Sequence, residues 1–158
     1  MNKAAPAKRN PSSPRMLIIS CSASKRRRPN RRIPALQRYD GVFFKVLRKS
    51  LREYDIADGL HVLIISAKYG LITPQTPIPN YNKKMDRGQA EKLGPAIRRK
   101  IRHAIGLAKP GVILVNVGGV YETSIRDILE LKRAQWASGP IGKRAATLKS
   151  WLINDRED

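Results

Sequence analysis

Three nearly uninterrupted apolar runs constrain this chain more than any other feature. They are Met16-Leu17-Ile18-Ile19-Ser20, residues 59–66 (Gly-Leu-His-Val-Leu-Ile-Ile-Ser) and residues 111–119 (Gly-Val-Ile-Leu-Val-Asn-Val-Gly-Gly). A strand with one wet face alternates apolar and polar residues. A continuous Val/Ile/Leu run is expected when both faces of a sheet are covered. Helical periodicity fills the gaps. Phe43, Val46, Leu47, Ser50, Leu51 and Tyr54 share one face of residues 41–54. In residues 86–107 and just beyond, Leu93, Ile97, Ile101, Ala104, Ile105 and Ala108 do the same, with Arg98 to His103 mostly on the other faces. Residues 120–132 predict a helix with Ile125, Ile128 and Leu129 inward, and residues 143–153 one with Leu148, Trp151 and Leu152 inward. The alternation predicts a single three-layer α/β domain, with a mainly parallel sheet flanked by helices. In such sheets ligands bind beyond the carboxyl ends of the strands. The loops to examine are therefore 21–40, 67–86 and 118–122.

Charge narrows the partner. The 158 residues carry 32 Lys or Arg and 12 Asp or Glu, a formal net charge of +20. Eleven of the basic residues and none of the acids fall in residues 1–38. Such a chain binds an anion, and the expectation is DNA, with RNA left open. Residues 1–15 read as a flexible basic arm and 16–158 as the domain. Lys25, Arg26, Arg27 and Arg28, with Arg31 and Arg32 beyond Pro29, lie inside the domain after the first strand. They read as a phosphate-gripping loop, against the alternatives of a solvated surface or a localisation signal. No apolar run suits a membrane span or a secretory signal, so a cytoplasmic protein with no membrane association is expected. One cysteine (Cys21) and two histidines (His61 and His103) exclude an internal disulfide and make a zinc site improbable. No metal and no cofactor are expected, and a monomer is.

Motifs sit where the strands end. Cys21-Ser22-Ala23-Ser24-Lys25 follows the first run, and Tyr39-Asp40-Gly41 precedes a helix. Ser66-Ala67-Lys68-Tyr69-Gly70-Leu71-Ile72 follows the second, then Tyr81-Asn82-Lys83-Lys84-Met85, and Gly118-Gly119-Val120-Tyr121 ends the third. In this order, over residues 16–153, they resemble the YaaA-like family, that of the bacterial peroxide-stress protein YaaA and its smaller relatives. The resemblance implies an α/β fold and DNA association. A more distant fold analogy links it to the uracil-DNA glycosylases, which cleave base–sugar bonds. Relatives often carry Pro-Tyr-Asp where this chain has Asn80-Tyr81-Asn82. A role held there by Asp would pass to Asn82 or Asp40.

The expected function is that of a DNA glycosylase acting on a modified or damaged base, in repair or in defence against phage. The alternatives are a non-catalytic DNA-binding stress protein and a nucleotide or nucleoside N-glycosidase. Base release needs a carboxylate near the cationic sugar, a positioned water and aromatic faces for a base taken out of the stack. Asp40 and Asn82 are the catalytic candidates, with an N-cap as the competing role for Asp40. Asp86 reads as a cap, and Glu122 as an acid at a helix start with a further claim on the chemistry. Cys21, Ser22, Tyr69, Tyr81 and Tyr121 are the expected base and sugar pocket. Lys25, Arg26, Arg27, Arg28, Lys68, Lys83, Lys84, Lys143 and Arg144 are the expected phosphate contacts. The last two follow the glycines of residues 138–144, which lead into the final helix. With no histidine in these loops, Cys21 reads as a small buried residue rather than a nucleophile. His61 reads as structural and His103 as surface.

Overall fold

The computed structural model describes residues 13–28 and 30–154. Residues 1–12 of the expected arm lie outside them. The three apolar runs form β1 (Arg15–Ser20), β3 (Leu60–Ser66) and β6 (Val112–Asn116). β1 lies in the middle, parallel to both, with Ile19 level with Ile64 on one side and Asn116 on the other. Two short strands complete the five-stranded sheet, in the order β4-β3-β1-β6-β7. β7 (Gln135–Trp136) is parallel to β6, and β4 (Gly70–Ile72) folds back antiparallel on β3. A separate ribbon pairs β2 (Ile33–Pro34) with β5 (Pro77–Ile78).

Alternation along the central strands feeds two cores. Met16, Ile18, Leu63, Ile65, Ile113 and Val115 pack on one face against α3 (Arg87–Ala108), through Ile97 and Ile101. Leu17, Ile19, Ile64 and Leu114 pack on the other with α2 (Val42–Glu53) and α5 (Ile141–Asn154), through Phe44, Leu47, Leu148 and Trp151. The molecule is thus an α/β domain of three layers. A short helix, α1 (Ala35–Arg38), precedes α2. No helix among the described residues is long and apolar enough to cross a membrane.

Three expectations are corrected. The basic arm was to run to Arg15, yet Arg15 opens β1 and is buried, its guanidinium donating to the carbonyls of Trp151 (2.9 Å) and Leu152 (3.3 Å) at the end of α5. Residues 120–132 are not one helix. Only α4 (Gly119–Glu122) and a 3-10 turn at Leu129–Arg133 are helical. The chain between and after them advances by bonds spanning three residues: Ile125 N to Glu122 O, Ile128 N to Ile125 O, Leu131 N to Ile128 O. A three-residue period brings Ile125, Ile128 and Leu131 inward and leaves Leu129 67% exposed. The Ser124 hydroxyl favours this path by donating to the Tyr121 carbonyl (2.6 Å) in competition with the helix ladder. Finally, His61 is exposed rather than structural.

Candidate functional site

The chain leaves β1 toward β3 on one side and reaches β6 on the other, so β1 and β6 flank the point where the strand order reverses. In open α/β sheets that reversal, at the carboxyl edge, is where ligands bind. The Cys21 backbone N–H donates to the Ile65 carbonyl (2.9 Å), carrying the ladder past β1. The half-buried thiol then meets the Tyr121 hydroxyl at 3.0 Å, joining the loops of β1 and β6. Ser22 closes the turn, donating to the Ser24 carbonyl (2.6 Å) and accepting from the Gly41 N–H (3.1 Å). A Cβ on Gly41 would stand 2.7 Å from the Ser22 Cβ. This contact explains the glycine of Tyr39-Asp40-Gly41, which lets α2 start against the turn. Gly41→Ala should push the two segments apart and cost about 1–2 kcal/mol. Denaturant unfolding checks this, and an unchanged midpoint would mean the turn yields freely.

Tyrosines line the β3 side. The Tyr81 hydroxyl lies 3.0 Å from Ser66 Oγ and 2.5 Å from the Tyr39 hydroxyl. Tyr39 and Tyr69 both meet the Tyr81 ring edge-on, with centroids 6.3 and 5.4 Å away. Lys25 stands 4.5 Å and Lys68 5.7 Å from the same ring centroid. Ser66 also accepts from the N–H groups of Lys68 (3.2 Å) and Tyr69 (3.1 Å). It therefore shapes the hairpin turn that presents both residues. Burial pushes the Tyr39 hydroxyl up to about 12, and raises those of Tyr81 and Tyr121 as well. All three remain protonated donors at neutral pH. Burial acts on Lys25 in the opposite sense and lowers its ammonium.

The basic loop is held from beneath. Arg38 is fully buried, and its guanidinium donates to the carbonyls of Arg26 (2.7 Å), Arg31 (2.5 Å) and Ile78 (3.4 Å). A bridge between Lys25 and Tyr39, with Arg26 N–H bonding Arg38 O, ties the loop's first residues to the same segment. Arg27 and Arg28 face outward.

Asp40 belongs to this scaffold. The N-cap of α2 is Gly41, and Asp40 Oδ1 instead meets Arg48 at 2.6 Å and Arg26 at 3.6 Å. Desolvation pulls its carboxyl upward, but the Arg48 hydrogen bond and the charges of Lys45, Arg48 and Arg26 prevail and hold it below the usual carboxylate range. A carboxyl lowered by folding adds stability above its unfolded-state value and loses it as pH falls through the folded one. Asp40→Asn should therefore destabilise the protein at neutral pH. The gap between variant and parent should close in acid. Thermal unfolding at both pH values decides this, and a gap independent of pH would discount the ion pair.

At the β6 end, Arg144 donates from Nε to Asn116 Oδ1 (3.0 Å) and lies 4.8 Å from the centroid of the Phe43 ring. Glu122 is close enough to favour the charged guanidinium, against the opposing effect of burial. Phe44 is buried, and Phe43, expected on the inward face of α2, is half-buried at its margin.

The carboxyl edge of the sheet thus carries Cys21, Ser22, Lys25, Lys68, Tyr69, Tyr81, Tyr121 and Arg144. Asn82, Lys83 and Lys84 are exposed on the loop before α3, and Lys143 is exposed on α5. Asp86 caps α3, accepting from the Gln89 N–H at 2.7 Å. Sequence reasoning passed over Tyr39, Ser66 and Asn116. The signal for Asn116 was present: a lone polar residue inside an apolar strand. Two surface clefts of about 360 and 390 Å3 lie elsewhere, beside the starts of β3 and β6. Among the described residues, no group of three or more His, Cys, Asp and Glu is placed to hold a metal ion.

Fold and site together define a basic three-layer α/β domain with a cluster of tyrosines and lysines at the carboxyl edge of its sheet. The chain belongs to a family of unknown function, DUF6884, which it matches over residues 16–152. No curated protein and no solved structure matches it.

Proposed function

We propose that the protein is a nucleic-acid-binding N-glycosidase, which takes a base at the carboxyl edge of its sheet and hydrolyses its bond to the sugar. The observation that carries this reading is the packing of half-buried Tyr69 and Tyr81 beneath Lys25 and Lys68, with Tyr39 buried behind them. Aromatic faces accept a base of any sequence, and the adjacent ammonium groups suit its phosphates. The resemblance to the YaaA-like family and the net charge of +20 support the same reading. In the reaction, water adds at C1′ as the base departs; its proton passes to a carboxylate, and the released base takes up a proton from solvent as the carboxylate gives its own back. Tyrosine hydroxyls kept protonated by burial donate to the leaving base. With Asp40 tied to Arg48, Glu122, half-buried on α4 at that edge, is the carboxylate assigned to the water.

The engagement of Asp40 also favours a second reading, a binding protein with no chemistry. One assay separates the two. Unmodified, damaged and phage-modified duplexes are incubated with the protein and scored for abasic sites. Site formation by the parent, lost in Glu122→Gln with DNA binding retained, is expected. Salt-sensitive binding without abasic sites in any substrate would leave the binding protein. Activity on free nucleotides alone would move the substrate to small molecules.

A further inference from the structure

Two buried nitrogens at the β6 end have no hydrogen-bond partner among the described residues: Asn116 Nδ2 and Arg144 Nη2. Asn116 itself is 0% exposed. Such donors are costly to leave unmet. Their residues are joined by the 3.0 Å bond from Arg144 Nε to Asn116 Oδ1, so both unmet donors belong to one place. Both require an acceptor.

The surroundings favour an anionic one. Arg144 has no carboxylate within ion-pair distance among the described residues. It stands in the first turn of the 14-residue α5, a turn without acidic residues. Its guanidinium faces Phe43, in the first turn of α2, a helix that also starts without an acid or a side-chain cap. Two helix N-termini therefore add positive potential where the unmet donors lie. Gly142, two residues before Arg144, and Gly118, two residues past Asn116, have open space where a Cβ would be.

We infer that Asn116 and Arg144 form a phosphate-binding subsite at the β6 end of the site. It rests on the nucleic-acid reading only for the source of the phosphate. Two sources share this chemistry, the internal phosphodiester beside the target nucleotide and a terminal phosphate. Glu122 opposes the anion through space, so the subsite is tuned below its full strength.

Isothermal titration of the intact protein with inorganic phosphate provides the test. The parent should bind one phosphate saturably. Asn116→Asp, nearly isosteric and able to pair with Arg144, should weaken it roughly tenfold or more, as loss of a charge-assisted hydrogen bond with added repulsion predicts. Arg144→Met should do the same without a buried carboxylate, covering the case that the first variant misfolds. Glu122→Gln should tighten it. No saturable binding by the parent, or equal affinity in both folded variants, overturns the inference. Short oligonucleotides with and without a 5′-phosphate then identify the source. Competition by the phosphorylated form alone points to a terminal phosphate, and competition by both to the phosphodiester. Phosphate binding without base release keeps the subsite and removes the glycosidase. Base release without phosphate binding does the reverse.

Discussion

Arg38→Met should lower the stability of the protein by roughly 3 kcal/mol or more, because three backbone carbonyls lose their donor at once. The Arg38 side chain is fully buried and has no carboxylate in ion-pair distance among the described residues. Its charge is compensated by the carbonyls of Arg26, Arg31 and Ile78. Met fills the volume of the stem and brings no donor. Lys offers three donors around a single point and cannot reach carbonyls spread over a planar fork, so Arg38→Lys should recover only part of the loss. Urea unfolding measures both. A Met variant within about 0.5 kcal/mol of the parent would show that those carbonyls find other partners. Proteolysis adds a local readout, since the loop of residues 26–32 should be cut sooner in the variant.

If the protein is the proposed glycosidase, Tyr81→Ala should reduce base release by roughly 5- to 150-fold, the range expected from losing about 1–3 kcal/mol of stacking. On the same proposal duplex affinity should change little, since sequence-independent binding would come from phosphate contacts of outward-facing arginines such as Arg27 and Arg28. Tyr81→Phe separates ring from hydroxyl. It keeps the stacking face and breaks the links to Ser66 and Tyr39. A Phe variant as impaired as the Ala variant would assign the effect to the hydroxyl. Equal losses of turnover and affinity in the Ala variant, with the fold intact, would put Tyr81 on the general binding surface.

The sheet was legible because burial on both faces writes itself as uninterrupted Val, Ile and Leu. β4 and β7 were not, because three and two residues carry no readable period and depend on the edges they join. Residues 120–132 misled because Ile125, Ile128 and Leu129 fit a period of 3.6, whereas Ile125, Ile128 and Leu131 fit one of 3. Only the carbonyl taken by Ser124 separates the two paths. The site followed the same division. Strand ends and loop tyrosines pointed to the carboxyl edge of the sheet, where Tyr69, Tyr81 and Tyr121 lie. Asp40 did not disclose its role, since an acid before a helix looks like a cap until Arg48 is found eight residues on, reaching back to it. Asn116 and Arg144 are 28 residues apart and meet only through the packing of α5 beside β6.

The central place of β1 has a thermodynamic consequence. The site is assembled from the loops of β1, β3 and β6 and from the starts of α2 and α5, so no fragment of the chain contains it. A ligand there binds the whole native state and has no hold on the unfolded chain. By mass action, a ligand at a hundred times its dissociation constant adds about 2.7 kcal/mol to global stability. That increment belongs to the innermost strand as much as to the loops that touch the ligand. Amide hydrogens of Leu17 and Ile18, far below the site, should then exchange about a hundredfold more slowly if they exchange through global unfolding. A ligand's presence would be recorded in the part of the molecule it never reaches.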